Sequence, residues 1–234
     1  MALINDFLSL IYPRLCEACG NSLFRHERFI CNHCRVSLPR SNYHIHRDNE
    51  LSRTFAGRVP FQTACSFFLY EKKGRVQKLL HAIKYHSQTR LAEYLGNLYG
   101  EHLQSDGCLG DIDVIVPVPL HRNKLRARGF NQSECFAIGL SSSLAKPVDI
   151  VSLERSVDTK TQTRKKKYQR WENVEGIFNL TPAHFLSNKH VLLVDDVITT
   201  GATIEAAWLA LNRADGLRLS VASIAFAAQK LSQG

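Results

Sequence analysis

Short apolar runs alternate along this chain with segments in which apolar residues recur every three or four positions. The runs are rich in β-branched and aromatic residues, and they predict strands at 64–70, 114–118, 191–194 and 219–226. The helical spacing predicts helices at 76–85, 91–103, 131–144 and 202–212. Because strands and helices alternate, we expect an α/β fold with a parallel sheet that is covered by helices on both faces.

The first sixty residues show little of this periodicity after Tyr12. Residues 2–11 are mostly apolar and predict a short amphipathic helix packed on the protein, with a signal peptide as the alternative. Residues 40–59 are polar and are interpreted as a connection. For a chain of 234 residues, we therefore expect an N-terminal module with its connector at 1–60 and one main domain at 61–234.

Composition and charge narrow the class of protein. Hydrophobic residues make up 44% and charged residues 22%, which excludes disorder across the whole chain. No run of eighteen apolar residues exists, so no membrane span is expected. The formal net charge is +9, and residues 111–190 hold 13 basic and 8 acidic side chains. This balance favours phosphates, nucleotides or nucleic acid as partners. The alternative is that the positive charge only aids solubility.

Four of the seven cysteines form two C-x-x-C pairs, Cys16 with Cys19 and Cys31 with Cys34. Each pair can present two thiolates to one ion, so the two pairs supply a complete tetrahedral shell for zinc. A closed four-sulfur shell predicts a structural metal, and it leaves no role as a ligand for His33. A redox pair or buried free thiols are the alternatives. The odd cysteine count favours metal binding in the cytoplasm over a disulfide framework.

The most informative segment follows the predicted strand at 191–194. Two carboxylates, Asp195 and Asp196, precede a small-residue loop that opens the helix from 202. Free N–H groups at a helix start bind anions, and carboxylates can accept hydrogen bonds from sugar hydroxyls. The segment therefore predicts a site for a phosphate and the ribose that carries it. An ordinary helix cap is the alternative.

Residues 195–203 resemble the phosphoribosyl pyrophosphate (PRPP) motif of type I phosphoribosyltransferases. With the cysteine pairs, the chain resembles the ComF/GntX family, whose members are associated with natural competence and the use of external DNA. Further segments that match this family are 81–85, 116–121, 126–132 and 159–178. The resemblance covers nearly the whole chain, and it implies a type I phosphoribosyltransferase-like sheet behind an N-terminal zinc ribbon.

The resemblance also implies roles for individual residues. The ribose hydroxyls would contact Asp195 and Asp196, and the 5′-phosphate would lie against Thr199, Thr200, Gly201, Ala202 and Thr203. The pyrophosphate loop would consist of Leu120, His121 and Arg122, and the mobile loop would include Thr159, Lys160, Gln162 and Arg170. Magnesium would be held with PRPP, largely by substrate oxygens and water. No residue is assigned as the catalytic base.

The activity implied is displacement of pyrophosphate at C1 of the ribose by an acceptor nitrogen, with PRPP or another ribose 5-phosphate compound as ligand. The alternative is a protein that senses PRPP or a nucleotide without catalysis, binds single-stranded DNA and works with proteins of the competence machinery. The basic segments at 122–128 and 164–171 fit stabilisation of pyrophosphate, contact with a DNA strand, or a solvated surface. The zinc ribbon could also serve as a docking module.

Overall fold

The computed structural model describes residues 13–156, 176–181 and 186–228. The helix predicted at 2–11 lies outside these ranges. The described residues form six strands: β1 (Ala64–Leu69), β2 (Val114–Pro117), β3 (Leu153–Arg155), β4 (Phe178–Leu180), β5 (His190–Ile198) and β6 (Arg218–Phe226). Four of them form one parallel sheet in the order β1-β6-β5-β2, whereas β3 and β4 pair antiparallel. The predicted parallel sheet is confirmed, but β5 continues past its predicted end at Val194 to Ile198.

The same ranges contain seven helices: α1 (Asn32–Ser37), α2 (Glu50–Phe55), α3 (Arg75–Tyr85), α4 (Thr89–Ser105), α5 (Arg122–Arg128), α6 (Gln132–Leu144) and α7 (Ala202–Leu211). The four longest are those predicted from the apolar spacing. Three short helices were not predicted, because a helix of about two turns or less leaves too few apolar repeats to recognise. One of them, α2, falls within the segment interpreted as a connection. No helix in the described ranges is long and apolar enough to cross a bilayer.

Both faces of the sheet are buried, as the continuous apolar run of β5 requires. Leu192 and Val194 pack with α3, α4 and α6, whereas Val191 and Leu193 pack with α2 and α7. Successive side chains of a strand point to opposite faces, so one apolar run serves two cores.

The backbones of helices α4 and α6 approach each other unusually closely where the two helices cross. A Cβ atom on Gly139 would lie 2.0 Å from the carbonyl oxygen of Glu93, and one on Gly96 would lie 2.2 Å from that of Phe136. Glycine lowers helix propensity, so its presence in the middle of both helices is explained by the close approach of the two backbones. This contact holds α6 against the sheet, with its N-terminus at the carboxyl end of β5.

The cysteine-containing segment is packed onto the main sheet. Its buried residues join the core formed by α3 and α4; they include Cys16, Ile30, Cys34 and Leu38. The chain then forms a bridge between Arg40 and Phe68, along the edge of β1. Helix α2 contributes Leu51 and Phe55 to the other core. The division of the chain after residue 60 stays a prediction.

Candidate functional site

Two loops leave the sheet side by side at its carboxyl edge. Strands β2 and β5 are parallel neighbours, with Pro117 opposite Val194, and the N–H of Val118 donates to the carbonyl of Val194 over 2.8 Å. The segment after β2 therefore starts beside Val194, the residue that precedes the two acids of β5. Ligands of open α/β sheets bind at this edge. The residues predicted for ribose lie near the end of β5, and those predicted for phosphate and pyrophosphate follow β5 and β2.

Asp195 lies within β5 and is buried, with 9% of its surface exposed. Its Oδ1 atom accepts hydrogen bonds from Ser133 Oγ at 3.1 Å and from the N–H of Asp196 at 2.8 Å. Burial raises the pKa of this carboxyl to about 7, and the neighbouring charge of Asp196 acts in the same direction. The group is therefore held close to the point at which it changes charge at neutral pH.

The second acid, Asp196, is paired with a cation that the sequence analysis left without a role. Lys84 Nζ on α3 lies 2.7 Å from Asp196 Oδ2. The other oxygen, Oδ1, accepts from the N–H of Val197 at 2.8 Å. Lys84 belongs to segment 81–85, which the family resemblance had marked without any role for its residues. The fold brings this helix to the acids and so supplies a positive charge there.

The turn after β5 exposes Thr199 and Thr200, and Gly201 is the N-cap of helix α7. Gly201 has a φ of +78°, and a Cβ atom there would lie 2.6 Å from Cε1 of Phe55. Both the left-handed backbone and the close packing require glycine. The N-cap Gly201 has no side chain to cap α7, and the contact of the Ala202 N–H with Thr200 Oγ1 is long, at 3.4 Å. N–H groups at such a helix start can bind an anion.

An arginine outside the predicted site contacts this turn through a hydrogen bond and helix α7 through an ion pair. Arg58 donates to the carbonyl of Thr200 at 3.2 Å and pairs with Glu205 at 2.9 Å. It follows α2, far away in sequence, and no local pattern could have identified it. The contact fixes the turn between α2 and α7 and adds a cation beside the predicted phosphate position.

The predicted pyrophosphate loop runs into a helix. His121 is the N-cap of α5, where its Nδ1 accepts from the N–H of Asn123 at 3.2 Å, and Arg122 is the first helical residue. No residue of α5 is buried, and its basic side chains are Arg122, Lys124, Arg126 and Arg128. The roles of Leu120, His121 and Arg122 stay predictions. These residues lie at the start of a short and strongly basic element that follows β2, at the carboxyl edge of the sheet.

The four predicted mobile-loop residues, Thr159, Lys160, Gln162 and Arg170, lie outside the described residues, as does the basic segment 164–171. The two ends of this part of the chain are described. Arg155 at the end of β3 is paired with Phe178 at the start of β4. The undescribed segment therefore starts and ends at neighbouring points.

The four sulfurs of Cys16, Cys19, Cys31 and Cys34 all lie within 4.8 Å of one another, and Cys19 Sγ is 3.8 Å from Cys31 Sγ. Zinc–sulfur bonds of about 2.3 Å in a tetrahedron require sulfurs about 3.8 Å apart, so the cluster fits a zinc ion. Among the described residues, no histidine or carboxylate joins this group. The remaining cysteines are separate: Cys65 and Cys135 are buried and Cys108 is half-buried.

Hydrogen-bond donors surround the sulfurs. Burial raises the pKa of Cys16, but N–H groups, led by that of Cys31, outweigh it and lower the value to about 7. The guanidinium of Arg75 on α3 lies 3.7 Å from Cys34 Sγ and also donates to the carbonyl of Ser37 at 2.8 Å. Burial raises the pKa of Cys34, and Arg75 acts in the opposite direction. Arg75 also ties the cysteine cluster to the main sheet.

Comparisons with known proteins agree with this architecture. The family described as "Phosphoribosyl transferase domain" matches residues 131–233. The DNA utilization protein YhgH of Salmonella typhimurium is 30% identical over 202 residues, which cover 84% of this chain and 83% of that protein. The competence protein ComFC of Bacillus subtilis is 27% identical over 205 residues, which cover 86% of this chain and 79% of that protein.

Among solved structures, a glutamine PRPP amidotransferase from B. subtilis superposes with a TM-score of 0.40 at 19% identity, over 61% of this chain and 30% of that one. The domain match and the relatives that span most of both chains settle the classification. This chain belongs to the ComF family, with a type I phosphoribosyltransferase-like fold.

Proposed function

We propose that the chain binds PRPP with magnesium at the carboxyl edge of its sheet and transfers the phosphoribosyl group to an acceptor nitrogen. The observation that carries this proposal is the continuous arrangement of Asp195, Asp196 and the turn at 199–203. In one short segment it joins two carboxylates to a helix start whose N-cap is glycine. Ribose hydroxyls can donate to the acids, while the 5′-phosphate accepts from the N–H groups and threonine hydroxyls of the turn.

The chemistry proposed is a displacement at C1 of the ribose. The C1–O bond to pyrophosphate breaks, pyrophosphate leaves with the electron pair, and the acceptor nitrogen forms the new C1–N bond and releases its proton to solvent or to the departing pyrophosphate. Leu120, His121 and Arg122, with the basic side chains of α5, would hold the leaving group and offset its charge. Magnesium would be carried by substrate oxygens and would neutralise part of the same charge. The work of the protein is to position the substrate and, with the segment around Thr159–Arg170, to exclude water.

The relatives' names point to a role in the use of DNA. We propose that the chain serves the same cellular task in the cytoplasm, with the competence machinery as its partner and with a structural zinc ion in the N-terminal module. A sensor that binds PRPP without catalysis, and that contacts single-stranded DNA through its basic segments, remains the second candidate. It is favoured by the names of the relatives, which describe DNA utilization and competence.

Binding and catalysis can be tested separately. Calorimetry with PRPP and magnesium should detect binding to the wild type and at least tenfold weaker binding to the double variant Asp195→Asn/Asp196→Asn. Asp215→Asn, at an exposed acid outside the site, is the matched control and should bind normally. Absence of heat with both PRPP and ribose 5-phosphate would overturn the proposal.

The same samples separate enzyme from sensor. Pyrophosphate release from PRPP would be measured with purines, pyrimidines and ammonia as acceptors. Release that depends on the acceptor and is lost in the double variant supports transfer. Tight PRPP binding without release in the presence of any acceptor supports the sensor.

A further inference from the structure

A second cleft, of about 770 Å³, lies between the cysteine-containing segment and helices α4 and α6. It shares no residue with the PRPP site proposed above. Its chemically distinctive lining residues are Arg14, Arg28, Phe29, Arg90, Glu93 and Tyr94. Its volume is within the range of pockets that hold small molecules.

The cleft is positively charged, because three arginines and one acidic residue line it. Arg14 is fixed by hydrogen bonds to the carbonyls of Phe24 at 3.2 Å and Arg25 at 3.3 Å. Within the described parts of the chain, neither Arg28 nor Arg90 has an ion pair or a side-chain hydrogen bond. Their donors are therefore not used by the rest of the described protein. Guanidinium groups bind phosphate through paired N–H donors.

The same cleft presents aromatic surface beside these cations. The rings of Phe29 and Tyr94 have centroids 5.5 Å apart with their planes inclined at 51°. Both rings are only partly buried, although both pack against the core. Such a surface accommodates a flat heteroaromatic base. Stacking of a base on an aromatic side chain depends little on which base is present.

We propose that this cleft binds a nucleoside 5′-monophosphate. Its phosphate would lie against the guanidinium groups of Arg28 and Arg90, and its base against Phe29 and Tyr94. The excess of positive charge matches the dianionic phosphate monoester. A phosphodiester strand carries one charge per nucleotide and would have to continue beyond the cleft, so a free nucleotide is the better fit. This site does not depend on the PRPP proposal, because the two sets of residues are separate.

The phosphate contacts are tested with adenosine 5′-monophosphate as the probe, in the full chain with PRPP and magnesium present. The double variant Arg28→Gln/Arg90→Gln should bind the nucleotide at least tenfold more weakly than the wild type. Arg213→Gln, at an exposed arginine beyond α7, is the matched control and should leave affinity unchanged. Equal affinity of the wild type and the double variant would overturn the proposal.

The base contact is tested at Tyr94. Tyr94→Phe keeps the ring and should retain the affinity, whereas Tyr94→Leu should lower it about tenfold. Adenosine and inorganic phosphate alone should each bind more weakly than the nucleotide. If a single-stranded oligonucleotide displaces the probe as well as the free nucleotide does, the assignment to a mononucleotide is wrong. Failure of the PRPP proposal would instead appear as missing PRPP heat in every variant, including the wild type.

Discussion

Lys84 on α3 reaches Asp196 on β5, with Nζ 2.7 Å from Oδ2, and so places a cation beside the two acids of the candidate ribose site. The adjacent acid, Asp195, is buried, and burial raises its pKa to about 7. The charge of Lys84 acts on that carboxyl in the opposite direction and favours its ionised form. The lysine therefore limits how far burial can suppress the charge of the site.

Lys84→Gln should raise the pKa of Asp195 further, because the substitution removes this favourable charge. If ionised Asp195 accepts a hydrogen bond from the ribose, PRPP affinity rises with pH through about 7 in the wild type. In the variant the midpoint of that rise should lie at higher pH. Calorimetric titrations with PRPP between pH 5.5 and pH 9 measure it. Lys78→Gln, at an exposed lysine on the same helix, should leave the midpoint unchanged, and an equal shift in both variants would contradict the assignment.

Asp195→Asn should stabilise the folded chain at high pH. The folded-state pKa of about 7 lies above the ordinary value of 3.8, so the native state retains its proton longer than the unfolded state. The wild type therefore loses stability as pH rises from about 4 to about 7, by up to about 4 kcal/mol. Asparagine removes this loss, and its Oδ1 can still accept from Ser133 and from the N–H of Asp196.

Urea unfolding at pH 8 and pH 4.5 measures the effect of Asp195→Asn. The stabilisation should be large at the higher pH and small at the lower one, while PRPP binding is weakened. A gain of the same size at both pH values would show that the acid is not held protonated by burial. Stability and ligand affinity are thus expected to change in opposite directions at this position.

The sequence predicted most of the sheet because each of its strands is a buried apolar run. It could not show that Asp195 and Asp196 lie within β5, since the strand is extended there by backbone pairing with β6, and acidic residues do not signal a strand. The family motif identified the acids and the turn. Arg58 and Ser133 escaped prediction because each reaches the site from a distant part of the chain, through contacts that exist only in the folded state.

Gly201→Ala should destabilise the protein and weaken its hold on the 5′-phosphate. A left-handed backbone costs a non-glycine residue about 1–2 kcal/mol, and the new Cβ atom would also meet Phe55 at 2.6 Å. Gly57→Ala separates these two causes, because Gly57 has a φ of +73° but no heavy atom within 4 Å of a Cβ. Thermal unfolding should therefore show the larger loss for Gly201→Ala, together with a reduced PRPP affinity that Gly57→Ala does not share.

The cysteine cluster should bind one zinc ion per chain, and Cys34→Ser should lose it. Cys34 is buried and receives a donor from Arg75 on α3, so loss of the metal should also loosen the packing of the segment on the main sheet. Elemental analysis and limited proteolysis measure the two effects. Cys108→Ser, at a half-buried cysteine outside the cluster, should keep both the zinc and the protease resistance. Zinc retained in full by Cys34→Ser would contradict the four-sulfur site.

Gly139→Ala should be among the most destabilising single changes in the chain, even though alanine is the better helix former. The new Cβ atom would lie 2.0 Å from the carbonyl oxygen of Glu93, and its three nearest neighbours are all backbone atoms of α4, which cannot adjust as a flexible side chain could. Helices α4 and α6 would have to separate, at a cost of about 3 kcal/mol. Ser142→Ala, at an exposed position on the same helix, should change stability by less than about 0.5 kcal/mol.

The separation of α4 and α6 should also lower PRPP affinity, because Ser133 at the start of α6 donates to Asp195. Unfolding measurements on the two variants would detect the change in stability, and binding measurements would detect the change in affinity. Unchanged stability of Gly139→Ala would mean that the two helices do not approach this closely.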